Sequence, residues 1–175
     1  MQFFTWKLWE QVNSNNDAVS TRANNAWMRN HKAYDAQLRP LLARFNKRNR
    51  RFWSGDAVDL HDGQVVRVTI GDAVNADVFA DWPKSWRTRV EIEVVDRGAR
   101  MHCVLRYGQV EAVDARLREG GWSDGGTVFH TWGYDELTAE GADTFRHSIL
   151  FATGGELSIV FRRFSYMRRR LPAGQ

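Results

Sequence analysis

The sequence predicts an α+β fold, with an N-terminal helical segment packed on an antiparallel sheet of about five to seven strands. Three observations carry this reading. Apolar residues recur at three- and four-residue spacings as far as residue 52. From residue 55 the period falls to two, and the alternating stretches are punctuated by short Gly- and Asp-containing turns. Helical and strand patterns are therefore segregated along the chain, which is the α+β arrangement.

Thr5 is placed to cap a short amphipathic helix that carries Trp6, Leu8, Trp9 and Val12. The run Asn13-Ser14-Asn15-Asn16-Asp17 breaks it, because short polar side chains compete for backbone hydrogen bonds. A second helical stretch is expected from near Ser20, with Ala23, Trp27, Tyr34, Leu38, Leu41, Leu42, Phe45 and Phe52 on its apolar stripe. Asn30 or His31 fills the one gap in that stripe. Pro40 lacks a backbone N–H, so a kink or break is expected there, although the stripe keeps its phase beyond it.

Strands follow. Gln64 to Ile70 alternates, with Val66, Val68 and Ile70 on one face and Val65, Arg67 and Thr69 on the other. Arg89 to Val95 sets Val90, Ile92 and Val94 against Arg89, Glu91 and Glu93. The turn Asp96-Arg97-Gly98-Ala99 then leads to Met101, Cys103, Leu105 and Tyr107 on one side of a partner strand. Another strand is expected over 127–134. The clearest hairpin runs from Thr144 through Thr153-Gly154-Gly155 to Phe164, with Phe145, Ile149, Phe151, Leu157, Ile159 and Phe161 pointing inward. Ala73–Arg87, containing Pro83, and Val110–Glu119 resist assignment, and Gly120-Gly121 and Gly125-Gly126 mark a loop. The organisation expected is one domain over 1–175: a helical layer at 1–52, mainly antiparallel β at 55–166 and a basic tail at 167–175.

Composition bounds the function. With 175 residues, 43% hydrophobic and 26% charged, the chain has the balance of one folded domain and not of a disordered segment. No apolar run reaches the roughly 18–20 residues that cross a bilayer, and the opening residues carry no secretory pattern. The single Cys103 forms no intrachain disulfide and no cysteine zinc cage, so a cytoplasmic setting is expected. Charge is uneven: residues 1–52 hold ten basic against three acidic side chains, 53–160 ten against eighteen, and 161–175 five Arg and no acid. That division favours basic ends held against an acidic middle of the same fold, with an acidic ligand as the alternative.

Chemical motifs are sparse. His61-Asp62-Gly63 reads either as a base with its orienting carboxylate, or as a turn in which Asp62-Gly63 supplies the local hydrogen bond and a positive φ. The turn is preferred. His102 and Cys103 are adjacent in a strand and face opposite ways. His130 and His147 share apolar parity, which allows them to meet across a sheet, but two imidazoles make a weak metal site without a third ligand. No G-x-S-x-G, H-E-x-x-H or P-loop occurs, and the carboxylate pairs Asp135-Glu136 and Glu91/Glu93 are commonplace. No catalytic residue, cofactor or metal is assigned. The best-formed positive signal is arginine: Arg48, Arg50 and Arg51 at the end of the helical layer, and Arg168, Arg169 and Arg170 near the C-terminus, with Trp53 and Tyr166 as candidate stacking partners for a nucleic acid.

Phe3-Phe4-Thr5-Trp6-Lys7-Leu8-Trp9, Leu60-His61-Asp62-Gly63, Trp132-Gly133-Tyr134-Asp135-Glu136-Leu137 and Gly155-Glu156-Leu157-Ser158-Ile159-Val160-Phe161 resemble an uncharacterised family of small bacterial proteins of unknown function. The resemblance implies an architecture and no catalytic residues, and suggests a small cytoplasmic partner or immunity-type protein. The function expected from the sequence is thus non-enzymatic binding of another protein, as an inhibitor or immunity-type module. Sequence-nonspecific nucleic-acid binding through the six arginines is the first alternative. A hydrolase-like enzyme using His61 and Asp62 is the second.

Overall fold

The computed structural model describes residues 1–72, 88–98, 100–116 and 129–172. The readings made above for Ala73–Arg87 and for the Gly120–Gly126 loop lie outside them. Three helices come first, α1 (Trp6–Val12), α2 (Asp17–Leu42) and α3 (Lys47–Trp53). Each starts on a polar cap whose side chain accepts a backbone N–H: Thr5 from Leu8, Asn16 from Val19 and Asn46 from Asn49. Asp17 thus opens α2 and does not belong to the break before it. Pro40 falls in the last turn of α2. The helix runs through it, without the bond its N–H would give the Ala36 carbonyl, and ends two residues later.

Eight strands follow among the described residues: β1 (Gln64–Asp72), β2 (Thr88–Val95), β3 (Met101–Gly108), β4 (Ala112–Arg116), β5 (Trp132–Ala139), β6 (Phe145–Phe151), β7 (Glu156–Phe161) and β8 (Arg163–Arg170). The α+β class and the helical layer are as expected. The strands divide into two antiparallel sheets of four, ordered β1-β2-β3-β8 and β4-β7-β6-β5. One long bent pair runs through both, since β3 pairs β8 and β4 pairs β7. At its corner Gln109 takes a positive φ of 54°, and the bond from Glu111 N–H to the Val160 carbonyl (2.8 Å) restarts the ladder. At the other end Val65 N–H donates to the His130 carbonyl at 2.7 Å and Trp132 N–H to Gly63 at 2.8 Å, stitching β1 to β5.

Four strand expectations need correction. The expected Gln64–Ile70 alternation is broken by a bulge between Val65 and Arg67. Val65 therefore opposes Val94, and Val66 is turned out to 58% exposure. The strand expected at 127–134 is Trp132–Ala139, displaced because a second bulge at Gly133 hides its alternation. A Cβ on Gly133 would lie 2.6 Å from the Leu150 carbonyl oxygen, so only glycine fits. The hairpin's return strand splits at Arg162, and the segment read as a basic tail from 167 is the outer half of β8 through Arg170.

The inward faces of both sheets share one core with α2 and α3, including Leu38, Phe52, Trp53, Ile92, Leu105 and Trp132. Phe145, Ile149, Phe151, Leu157, Ile159 and Phe161 are all buried, as their alternation requires. Helix α2 lies along the edge of β5, where the Tyr34 hydroxyl accepts the Leu137 N–H at 2.9 Å. A strand edge that would otherwise offer its donors to another chain is thereby covered. No helix among the described residues is long and apolar enough to cross a membrane.

Candidate functional site

A cavity of about 430 Å³ opens between α2, the end of α3 with the loop after it, and the edge strand β5. Helix α2 presents His31, Tyr34, Asp35 and Leu38 one turn apart; the α3 end and its loop bring Phe52, Trp53, Asp59 and His61; β5 brings Gly133, Tyr134 and Asp135. Phe4 completes the wall. It is held by Glu136, a 1%-exposed carboxylate on the opposite face of β5 from Asp135. That carboxylate accepts the backbone N–H of Gln2 (2.7 Å), Phe3 (2.5 Å) and Phe4 (2.6 Å). Asn30 adds a bond from its Nδ2 to the Phe3 carbonyl at 2.8 Å, which explains its place in the helical stripe.

Asp135 is the centre of the site's electrostatics. Its Oδ1 accepts Trp132 Nε1–H at 3.0 Å and its Oδ2 meets His147 Nε2 at 3.0 Å. His147 is completely buried and its Nδ1 lies 2.7 Å from the Tyr107 hydroxyl. A carboxylate only accepts, so the imidazole proton is on Nε2 and Nδ1 accepts from Tyr107. Burial works to raise the Asp135 pKa, but the bonds from His147 and Trp132, with His61 nearby, outweigh it and hold the carboxyl below its usual range. Burial, then the charge of Asp135, push Tyr107 well above the ordinary phenol value, so it keeps its proton. Tyr34 is raised by burial and then by Asp135. Tyr134 is raised by burial and then by Asp62.

The Asp135 side chain remains 35% exposed and lines the cavity. Asp35 and Asp59 join it there, Asp35 beside His31 at 3.3 Å and Asp59 accepting His61 N–H at 3.0 Å. Among the described residues no Lys or Arg lines the cavity. The walls are aromatic: Phe4 lies 5.6 Å from Tyr34 and 5.7 Å from Tyr134 between ring centroids, and His61 lies edge-on to Tyr134 at 4.8 Å. Trp53, which is 7% exposed, lines the same space, and its Nε1 is buried without a hydrogen-bond partner.

The expected site residues are distributed as follows. His61 lies at the cavity, its Nδ1 3.3 Å from Asp62, but Asp62 turns outward to Arg97 at 3.0 Å. The His61-Asp62-Gly63 turn forms with the positive φ (62°) on Asp62 and not on Gly63. Gly63 is needed for space, since a Cβ there would be 2.9 Å from the Leu60 carbonyl oxygen. His147 and His130 do not meet. His130 is exposed and bonded to Thr131, while Asp135 is the group that meets His147. His102 turns to Glu93 at 3.1 Å, away from the buried Cys103 thiol. Burial, then Asp96, push that thiol up to about 11.

The six candidate arginines on α3 and β8 are all exposed, and the two elements meet where Arg48 and Asn49 bond β8 carbonyls. Arg48 donates to the Tyr166 carbonyl at 2.8 Å and lies over the Tyr166 ring. Arg168 donates to the Ala57 carbonyl, and Arg50 to those of Leu42 and Phe45. These are backbone contacts, and among the described residues none of the six pairs with a carboxylate. Trp53 and Tyr166 are 7% and 6% exposed, so neither is open to stack on a base.

Asp135 with His147 and Tyr107 went unread in the sequence, because Gly133 masks the parity that puts Asp135 on the inner face. The signal was present in Leu137, an apolar neighbour two residues on. Among the described residues no group of three His, Cys, Asp or Glu is arranged to hold a metal. Comparison with protein-family models, curated proteins and solved structures finds no match to this chain.

Proposed function

We propose that the protein binds a small cationic molecule in the α2–β5 cavity. The observation that carries this reading is the pairing of aromatic walls with an ionised Asp135 in a space free of Lys and Arg among the described residues. Aromatic faces attract cations through the ring quadrupole, and a half-buried carboxylate adds direction. The volume lies within the range of small-ligand sites. Binding of a protein partner, the expectation drawn from the sequence, rests on missing motifs, whereas the cavity supplies positive features.

The test is calorimetric titration with a panel of primary amines and quaternary ammonium compounds, each matched by a neutral isostere. Saturable binding of cations, weakened at least about tenfold in Asp135→Asn with the native far-ultraviolet spectrum retained, supports the reading. Equal binding of the neutral isosteres, or saturable binding of none, overturns it. The His61–Asp62 contact at the cavity favours one second reading, hydrolysis of an ester or amide of such a cation with His61 as general base. Turnover that disappears in His61→Gln while binding persists would support it.

A further inference from the structure

We propose that the corner formed by α3 and β8 docks on the phosphate backbone of double-stranded nucleic acid. Six exposed guanidiniums lie on these two elements, from Arg48, Arg50 and Arg51 on the helix and from Arg168, Arg169 and Arg170 on the edge strand, Arg168 on the side of α3 and Arg169 on the other. The two elements are fixed to one another, because Asn49 Nδ2 donates to the Phe164 carbonyl at 2.8 Å while Arg48 grips that of Tyr166 at 2.8 Å. A rigid array of cations loses little freedom on binding.

Elsewhere on the described surface several arginines pair with carboxylates, while Arg22 and Arg44 bond backbone carbonyls. Arg67 pairs with Glu93 at 2.8 Å, Arg106 with Glu91 at 2.6 Å, Arg146 with Glu140 at 2.5 Å and Arg162 with Glu111 at 2.5 Å. At the α3–β8 corner the partners are carbonyl oxygens and the ring nitrogen Nδ1 of His102. Such acceptors orient a guanidinium without cancelling its charge. The planar fork then has donors left for phosphate, which it matches in bidentate fashion.

The choice of ligand follows from what surrounds the arginines. A single strand would be gripped by exposed rings on which bases stack, and the corner's rings, Trp53 and Tyr166, are buried. Insertion into a lipid surface needs an apolar helix face, and Phe52 and Trp53 of α3 point into the core. A regular duplex backbone needs neither. With no side chain identified to read base edges, binding is insensitive to sequence.

The experiment is fluorescence anisotropy of the full chain with two labelled duplexes of about 24 base pairs and unrelated sequence, titrated between about 50 and 200 mM salt. Equal affinity for both and a steep salt dependence, about 0.9 log units per phosphate contact for each tenfold change in salt, are expected. The triple variant Arg51→Ser, Arg169→Ser, Arg170→Ser spares Arg48, Arg50 and Arg168, which brace the fold. It should flatten the salt slope by about 2 to 3 at an unchanged thermal midpoint. If the triple variant loses that midpoint, the single reversal Arg170→Glu replaces it, with a slope flatter by about 1 expected. No binding at 50 mM salt, an unaltered slope in the variant, tighter binding of an oligothymidine strand, or equal competition by polyglutamate each overturns the proposal.

Discussion

At the scale of single residues, the buried polar groups are the informative ones, because each needs a partner to be tolerated away from water. Tyr107→Phe removes the one donor to His147 Nδ1 and leaves a buried acceptor unpaired, at a cost of about 1–3 kcal/mol. Urea denaturation measures that cost, and ¹⁵N imidazole shifts should report the lost hydrogen bond at His147 Nδ1 while Asp135 keeps the proton on Nε2. Glu136→Gln leaves one acceptor oxygen facing three backbone N–H groups and sets an amide donor against the others. A loss of about 2–3 kcal/mol is expected, with the Phe4 ring resonances shifting as residues 2–4 release the cavity wall.

At the scale of elements, the β6–β7 hairpin and the α2–β5 edge make different demands. Ile159 is fully buried where β7 meets β6, opposite His147. Ile159→Ala should cost about 2–5 kcal/mol, as a core truncation that the two-sheet interior cannot collapse around. A change within about 0.5 kcal/mol in chemical denaturation would contradict the register. On the edge, Tyr34→Phe deprives the Leu137 N–H of its acceptor. The global cost should be near 1 kcal/mol, and amide hydrogen exchange at Leu137 should accelerate before that of its neighbours on β6.

At the scale of the whole molecule, pH dependence follows from the shifted groups. Asp135 has a folded pKa below its unfolded one, so its stabilisation is present above the unfolded value, about 4, and is lost as pH falls through the folded value. Tyr34, Tyr107 and Tyr134 have folded values raised above the unfolded one, about 10, and Cys103 is raised to about 11 from near 9. Their stabilisation is complete below those unfolded values and declines above them, because the unfolded chain releases protons that the folded chain keeps. Urea midpoints should therefore fall from pH about 9 upward, and Tyr107→Phe should make that decline shallower. An alkaline limb of the same slope in wild type and variant would contradict the burial of that hydroxyl.

Periodicity and capping chemistry were legible from local sequence alone. Thr5 and Asn16 cap helices through bonds to residues three positions away, and Phe145 to Phe161 alternate because a strand's side chains must. The sequence by itself thus determined the helical layer, most of the strands and their buried faces, since each depends on neighbours within a few residues. The two bulges escaped it, because one extra residue at Val66 or Gly133 changes parity with little compositional trace. Only the tertiary structure decided the rest. His147 meets Asp135 and Tyr107 across 12 and 40 residues, Glu136 reaches back more than 130 to hold Phe4, and Arg48 finds a carbonyl 118 residues away. Contacts of that separation are set by how two sheets close on one core, a property of the packed chain that no short window of residues encodes.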